Sequence, residues 1–297
     1  MMNLNKQTDY LFKLGLGCVT FGREIDKTAS CILMDYAYDK GIDHFDTAAA
    51  YGDGYSEEIV GGWMKGRRIS ADRLTIATKI LPPYTPEALR LSVERSLKRL
   101  QTDTLSVLYL HRWDDVLQTP EAWLVLDALR KEGKIGQLGV SNFNSLQLAS
   151  ALKVQHLAGV YALSFIQNNH NLAVSDISDE LKSICLENGV KIVTFSPLGA
   201  GFLTGKHARG VEQDSRFSVV PAHQDIYFND KSQRRLQTLL QVAERTGNSP
   251  IRLALSWAIH QAGITKVLIG GRTVAHLDQA FEAAKFYDRE VFSELES

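Results

Sequence analysis

Leu74-Thr-Ile-Ala-Thr-Lys79, then Thr85-Pro-Glu87, then Leu105-Ser-Val-Leu-Tyr-Leu-His111: in this passage a strand, a helix and a second strand follow one another. The two outer runs are short, aliphatic and β-branched, and apolar without alternation, as strands covered on both faces are. Between them Thr85 supplies an N-cap hydroxyl, Pro86 stands at N1 and Glu87 puts an acid in the first turn. Leu89, Val93 and Leu97 then mark one buried stripe at helical spacing. Thr119-Pro-Glu121 repeats the helix start, with Ala122, Leu126 and Leu129 behind it and a stop at Gly133, and Ser249-Pro250 repeats its first two elements.

Moving outward, similar apolar runs end near Cys18, Asp46, Lys79, His111, Val140, Gln167, Phe195 and Ile269. The first six intervals between these ends are 27 to 33 residues and the last is 74. One strand–helix unit takes roughly 30 residues. The pattern therefore predicts an α/β protein, a (β/α)8 barrel of the TIM type, in one domain over residues 1–297. It carries a long loop after strand seven, from about His207 to Asp230 and including Arg209 and Arg216, with only a short N-terminal extension.

Composition excludes several classes. With 44% hydrophobic and 23% charged residues and a formal net charge of −1, the chain is no general binder of nucleic acid or membrane surfaces. Cys18, Cys31 and Cys185 are odd in number and widely spaced, with no zinc pattern, which fits a reduced, cytoplasmic setting. Neither a signal-peptide run nor a membrane-length apolar stretch is expected. Gly199-Ala-Gly201 with Gly205 lacks the GxGxxG spacing and a Rossmann unit around it. Gly205-Lys206 lacks the first glycine and the hydroxyl of a phosphate-binding Walker loop.

In such barrels the C-terminal strand ends face the active site. Asp46, Lys79 and His111 sit at the ends of strands two, three and four, and Tyr51 is five residues past Asp46. A phenol with a free pKa near ~10 is a reluctant proton donor, and an adjacent ammonium favours its phenolate by roughly 1–3 pKa units. A carboxylate keeps that ammonium charged and in place. A strand-end Asp–Lys pair alone is as easily structural; the four together point to hydride reduction of a carbonyl.

These residues belong to a wider likeness. From about Leu14 to Phe286 the chain resembles the aldo-keto reductase superfamily, through Gly15-Leu-Gly-Cys-Val-Thr-Phe-Gly22, the Asp46–Glu58 stretch, Ser92-Val-Glu-Arg-Ser-Leu-Lys-Arg-Leu100, His111-Arg-Trp-Asp114, Gly139-Val-Ser-Asn142 and Ser196-Pro-Leu-Gly199. The resemblance implies a nicotinamide cofactor lying extended across the barrel mouth. Tyr51 is then the general acid, Lys79 lowers its pKa, Asp46 holds Lys79, and His111 orients the carbonyl. The same matches imply that Ser141, Asn142 and Gln167 clamp the carboxamide while Phe195 stacks beneath the ring. Ser196, Pro197, Leu198, Gly199 and Gly201 form the pyrophosphate loop, and Lys206 and Arg216 meet phosphate or stay on the solvated surface.

Gly271, Arg272, Thr273 and Gln279 belong to the adenosine end, where Gln279-Ala280 departs from the family's acid–asparagine pair. NADP(H) is favoured there and NAD(H) stays open. Asp46 and Cys18 fall beside the nicotinamide by position, although a small buried residue explains Cys18 equally well. Phe21 and Trp113 either line the substrate pocket beside Tyr51 and His111 or pack a loop. The N-terminal hairpin over Thr8 to Lys13 reads as shortened and no long C-terminal loop follows, so an open pocket for a small carbonyl or alcohol is expected. Two other functions fit the same motifs: a nicotinamide-binding regulatory or scaffold protein resembling potassium-channel β subunits, and a barrel enzyme for a phosphorylated sugar.

Overall fold

The computed structural model describes residues 12–69, 73–207 and 210–296. Thr8 of the expected N-terminal hairpin and Arg209 of the expected insertion lie outside them. The chain alternates β1 (Leu14–Gly17), α1 (Lys27–Asp39), β2 (His44–Asp46), α2 (Tyr55–Arg67), β3 (Thr75–Ile80), α3 (Pro86–Leu100), β4 (Leu105–Leu110) and α4 (Pro120–Lys131). It continues with β5 (Ile135–Ser141), α5 (Ser145–Ala158), β6 (Phe165–Asn169), α6 (Asp179–Glu187) and β7 (Lys191–Phe195). After β7 come α7 (Arg216–Val219), α8 (His223–Tyr227), α9 (Asp230–Thr246) and α10 (Pro250–His260), then β8 (Ile264–Ile269), α11 (Val274–Ala284) and α12 (Arg289–Glu296).

Each strand pairs in parallel with the next, and β8 returns to β1, closing a (β/α)8 barrel. The helices form where their local chemistry asks for them. Thr85 Oγ1 accepts the Ala88 N–H at 3.3 Å and Ser249 Oγ accepts the Arg252 N–H at 3.1 Å, capping α3 and α10. Thr119 does not cap α4 in this way: its hydroxyl donates back to the Val116 carbonyl at 2.9 Å, leaving Pro120 to set the start. The stripes Leu89–Val93–Leu97 and Ala122–Leu126–Leu129 are buried against the strands.

Two cores result. A large one lies between strands and helices, and a small one inside the barrel holds Ala77, Val107, Tyr109, Phe165, Val193 and Leu268. Because side chains alternate along a strand, Lys79 faces inward like Ala77, while Thr78 turns out to α2 and bonds Glu57 at 2.5 Å. Gly139 is required by this inner packing: a Cβ there would sit 2.5 Å from the Tyr109 ring. The insertion after β7 is more than a polar loop. Phe217, fully buried, meets His207 and Phe228 edge-on, each at 5.0 Å between ring centroids, so aromatic rings of the segment join it to the large core. Among the described residues no helix is long and apolar enough to cross a membrane.

Candidate active site

Asp46, Lys79 and His111 meet at the C-terminal rim because they lie at or just past the ends of neighbouring strands, Asp46 last in β2, Lys79 next to last in β3 and His111 directly after β4, and Tyr51 reaches them from the loop after β2. That loop turns sharply: Gly52, Asp53 and Gly54 all adopt left-handed backbone, with φ of 55°, 53° and 92°. Gly54 has the largest of these angles, a conformation in which any side chain would be strained. The turn brings Tyr51 Oη to 3.2 Å from Lys79 Nζ. The ammonium also donates to the Thr47 carbonyl at 2.9 Å and forms a buried ion pair with Asp46 Oδ1. Asp46 Oδ2 in turn accepts from Gln167 Nε2 at 2.7 Å, tying β6 to β2 across the barrel. His111 stands edge-on to the Tyr51 ring at 6.0 Å between centroids. Its backbone carbonyl accepts from Asn142 Nδ2 at 3.0 Å.

Burial and charge set the protonation states. Burial works against the Lys79 ammonium, but Asp46 and Tyr51 outweigh it and hold its pKa above the ordinary value. For Tyr51 the balance corrects the expected lowering. Burial pushes the phenol up, Lys79 pulls it down, Asp46 pushes again, and the net direction is upward. The phenol thus stays protonated at neutral pH. Burial, then Lys79 and Arg112, depress His111 to about 3, so its imidazole is neutral there, with a buried Nδ1 lacking a hydrogen-bond partner.

A cleft of about 1050 Å³ runs from Tyr51 and His111 across the ends of β5 to β8 and β1. Asp46, Ser141, Asn142, Gln167, Phe195, Ser196, Pro197, Leu198, Gly201, Lys206, Arg216, Gly271, Arg272 and Gln279 all line it. Other residues named from the sequence do not. Cys18 is wholly buried beneath, its thiol pushed up by burial and directed to the Leu16 carbonyl at 3.7 Å. Gly199 is buried under the turn after β7, against Tyr227. Thr273 sits outside the lining, 3.1 Å from His276 Nδ1. Phe21 is a core residue, and Trp113 packs edge-on against Phe143 with its indole N–H on Asp115 at 2.8 Å, so both serve loop packing.

Sequence reasoning missed Glu24 and His276 among the lining. Glu24 accepts from Arg216 at 2.6 Å and Arg23 at 2.8 Å, which joins the insertion to the loop after β1. Its place on a loop at the C-terminal face was a usable signal. His276 accepts the Arg272 N–H on Nδ1 at 3.2 Å, and only the start of α11 brings the two together.

The cleft's chemistry suits a dinucleotide. Gly17 and Gly270 put bare backbone into its wall, Phe195 offers a flat ring, and Lys206, Arg216 and Arg272 supply cations on the β7–β8 side. Among the described residues, no cluster of three or more His, Cys, Asp or Glu side chains is arranged to hold a metal ion.

The closed barrel with a cleft at its C-terminal rim has a counterpart in the sequence: a model of the Aldo/keto reductase family matches residues 13–297, so the chain belongs to that family of oxidoreductases. Similar proteins include a probable aldo-keto reductase 1 of Glycine max, 29% identical over 94% of this chain and 82% of its own. An uncharacterized oxidoreductase, YrpG, of Bacillus subtilis is 27% identical over 95% of this chain and 90% of its own. A norsolorinic acid reductase of Aspergillus flavus is 29% identical over 91% and 73%.

Proposed function

We propose that the protein is an NADP(H)-preferring oxidoreductase, acting as one catalytic barrel, that interconverts an aldehyde or ketone and its alcohol. The observation that carries this reading is the 3.2 Å contact from Tyr51 Oη, at the cleft wall, to a Lys79 ammonium buried behind it. A reduced nicotinamide bound in the cleft supplies hydride. Tyr51 holds a proton at Oη and releases it to the substrate oxygen as negative charge grows there, help typically worth ~10²–10⁴ in rate. Lys79 stabilises the phenolate left behind, and Asp46 keeps Lys79 charged and fixed. Neutral His111 orients the carbonyl by hydrogen bonding. Ser141, Asn142 and Gln167 would hold the carboxamide, Phe195 would support the ring, and the turn from Ser196 to Gly201 would meet the pyrophosphate, all but Gly199 of these lining the cleft. The preference for NADP(H) is supported by Lys206 and Arg272 lining one side of the cleft. The names of the soybean and Aspergillus relatives support reduction as the activity.

The test is Tyr51→Phe, assayed with a panel of aldehydes and sugars by nicotinamide absorbance. Turnover should be lost while NADPH affinity by fluorescence titration is nearly unchanged. Undiminished turnover removes Tyr51 as the acid. Tight NADPH binding by the unaltered protein with no carbonyl turned over would favour the regulatory reading instead.

A further inference from the structure

On the β7–β8 side of the cleft, Lys206, Arg272 and His276 converge. Their closeness registers in His276, which burial, then Arg272, then Lys206 hold below its usual pKa. Since Nδ1 accepts the Arg272 N–H, the neutral ring carries its proton on Nε2. A patch with this much positive charge is the natural seat for the phosphate that distinguishes NADPH from NADH.

The patch already has protein partners, however. Lys206 Nζ lies 3.5 Å from Glu212 Oε2, and the Arg272 guanidinium donates to the Asp214 carbonyl at 2.7 Å. Both partners belong to the insertion after β7. Their segment is anchored on either side: the Glu212 N–H donates to His207 Nδ1 at 3.3 Å, and Arg216 pairs with buried Glu24 at 2.6 Å. Asp214 offers a neutral carbonyl, which Arg272 can leave without uncovering a charge. Glu212 offers a full negative charge to Lys206, which lines the cleft, although Glu212 itself stands outside the lining.

We infer that Glu212 is a cofactor-selecting residue, whose carboxylate competes with the 2′-phosphate of NADPH for Lys206 and has no such quarrel with NADH. The inference rests on the dinucleotide reading given above. A phosphate must displace or tolerate this carboxylate, and like charges a few ångströms apart repel. A ribose 2′-hydroxyl is neutral and donates a hydrogen bond, which a carboxylate accepts. The Lys206 and Glu212 side chains are 41% and 52% exposed, so their pair opens easily and the effect is graded. The insertion thereby makes the site less selective for NADPH than its cations alone would be.

The experiment measures dissociation constants of NADPH and NADH by fluorescence titration for the full chain and for Glu212→Gln. Removing the charge should tighten NADPH about five- to tenfold and leave NADH unchanged or weaker, with the NADPH gain shrinking in roughly 0.5 M salt. Glu212→Lys should exaggerate the NADPH gain. An NADH-to-NADPH ratio that moves less than about twofold overturns the inference, as does a parallel change for both nucleotides, which would mean that Glu212 only shapes the loop. If the unaltered chain binds neither nucleotide, the dinucleotide reading itself falls, and the inference falls with it.

Discussion

The two ends of the cleft are built on opposite plans. At the Tyr51 end, Asp46 and Lys79 are almost wholly buried, and each is held by further bonds from Gln167 and Thr47. At the Lys206 end, the charged groups are half-exposed, stand on loops, and lean on one another and on the insertion. The first plan fixes distances, which proton transfer needs, because a buried charged pair has no water to turn to when its partner shifts. The second plan permits exchange of partners, which suits a place where a charged ligand must come and go. Under the proposed function, these differences in burial and bonding would give rigid chemistry at one end and adaptable recognition at the other.

The sharpest way to break the comparison is Lys79→Met. It leaves the Asp46 carboxylate buried without its cation, so stability should fall by about 3–5 kcal/mol in denaturant unfolding. Turnover should drop at least about a hundredfold in the same variant. A fully stable Lys79→Met protein would show that the pair is not the tight, dry contact described.

Acid probes the buried side next. His44, His111 and His170 are depressed mainly by burial, to about 4, about 3 and about 4. In the unfolded chain they protonate near ~6.5. Between those values the unfolded state binds more protons, so stability rises with pH there and is lost as pH falls from about 6.5 towards 4. The loss should be on the order of 1 kcal/mol per histidine for each pH unit. A melting temperature flat from pH 7 to pH 5 would contradict that burial.

At the adaptable end effects should be smaller. Arg272→Ala should weaken NADPH about tenfold, roughly 1.4 kcal/mol, and Lys206→Met only about threefold, with NADH much less affected in both. Equal losses for the two nucleotides would move the phosphate site elsewhere. Neither change should alter the melting temperature of the free protein by more than about 1 °C, since exposed pairs contribute little.

Much of the rigid end was legible in the sequence. Strand ends recurring every 27 to 33 residues put Asp46, Lys79 and His111 on one rim, and Tyr51 lies only five residues beyond Asp46. The family pattern extended this to Ser141, Gln167 and Phe195, which line the cleft. Position along a strand was a poorer guide at one remove. Cys18 directly follows β1 yet is sealed beneath the cleft, and Trp113, two residues past His111, turns to Phe143. Glu24 and His276 escaped notice because their partners, Arg216 and Arg272, come from other loops or from a turn that only folding closes.

What the sequence determined by itself was the period of the barrel, and with it which residue types gather at its mouth. A period is a local property, repeated every strand and helix, and it survives without knowledge of contacts. Tertiary structure decided the balance of opposing forces: that burial outweighs Lys79 and leaves the Tyr51 phenol raised, and that Glu212 comes to 3.5 Å from Lys206. Desolvation and charge pairing sum over neighbours from distant parts of the chain, and those neighbours exist only once the chain has closed on itself.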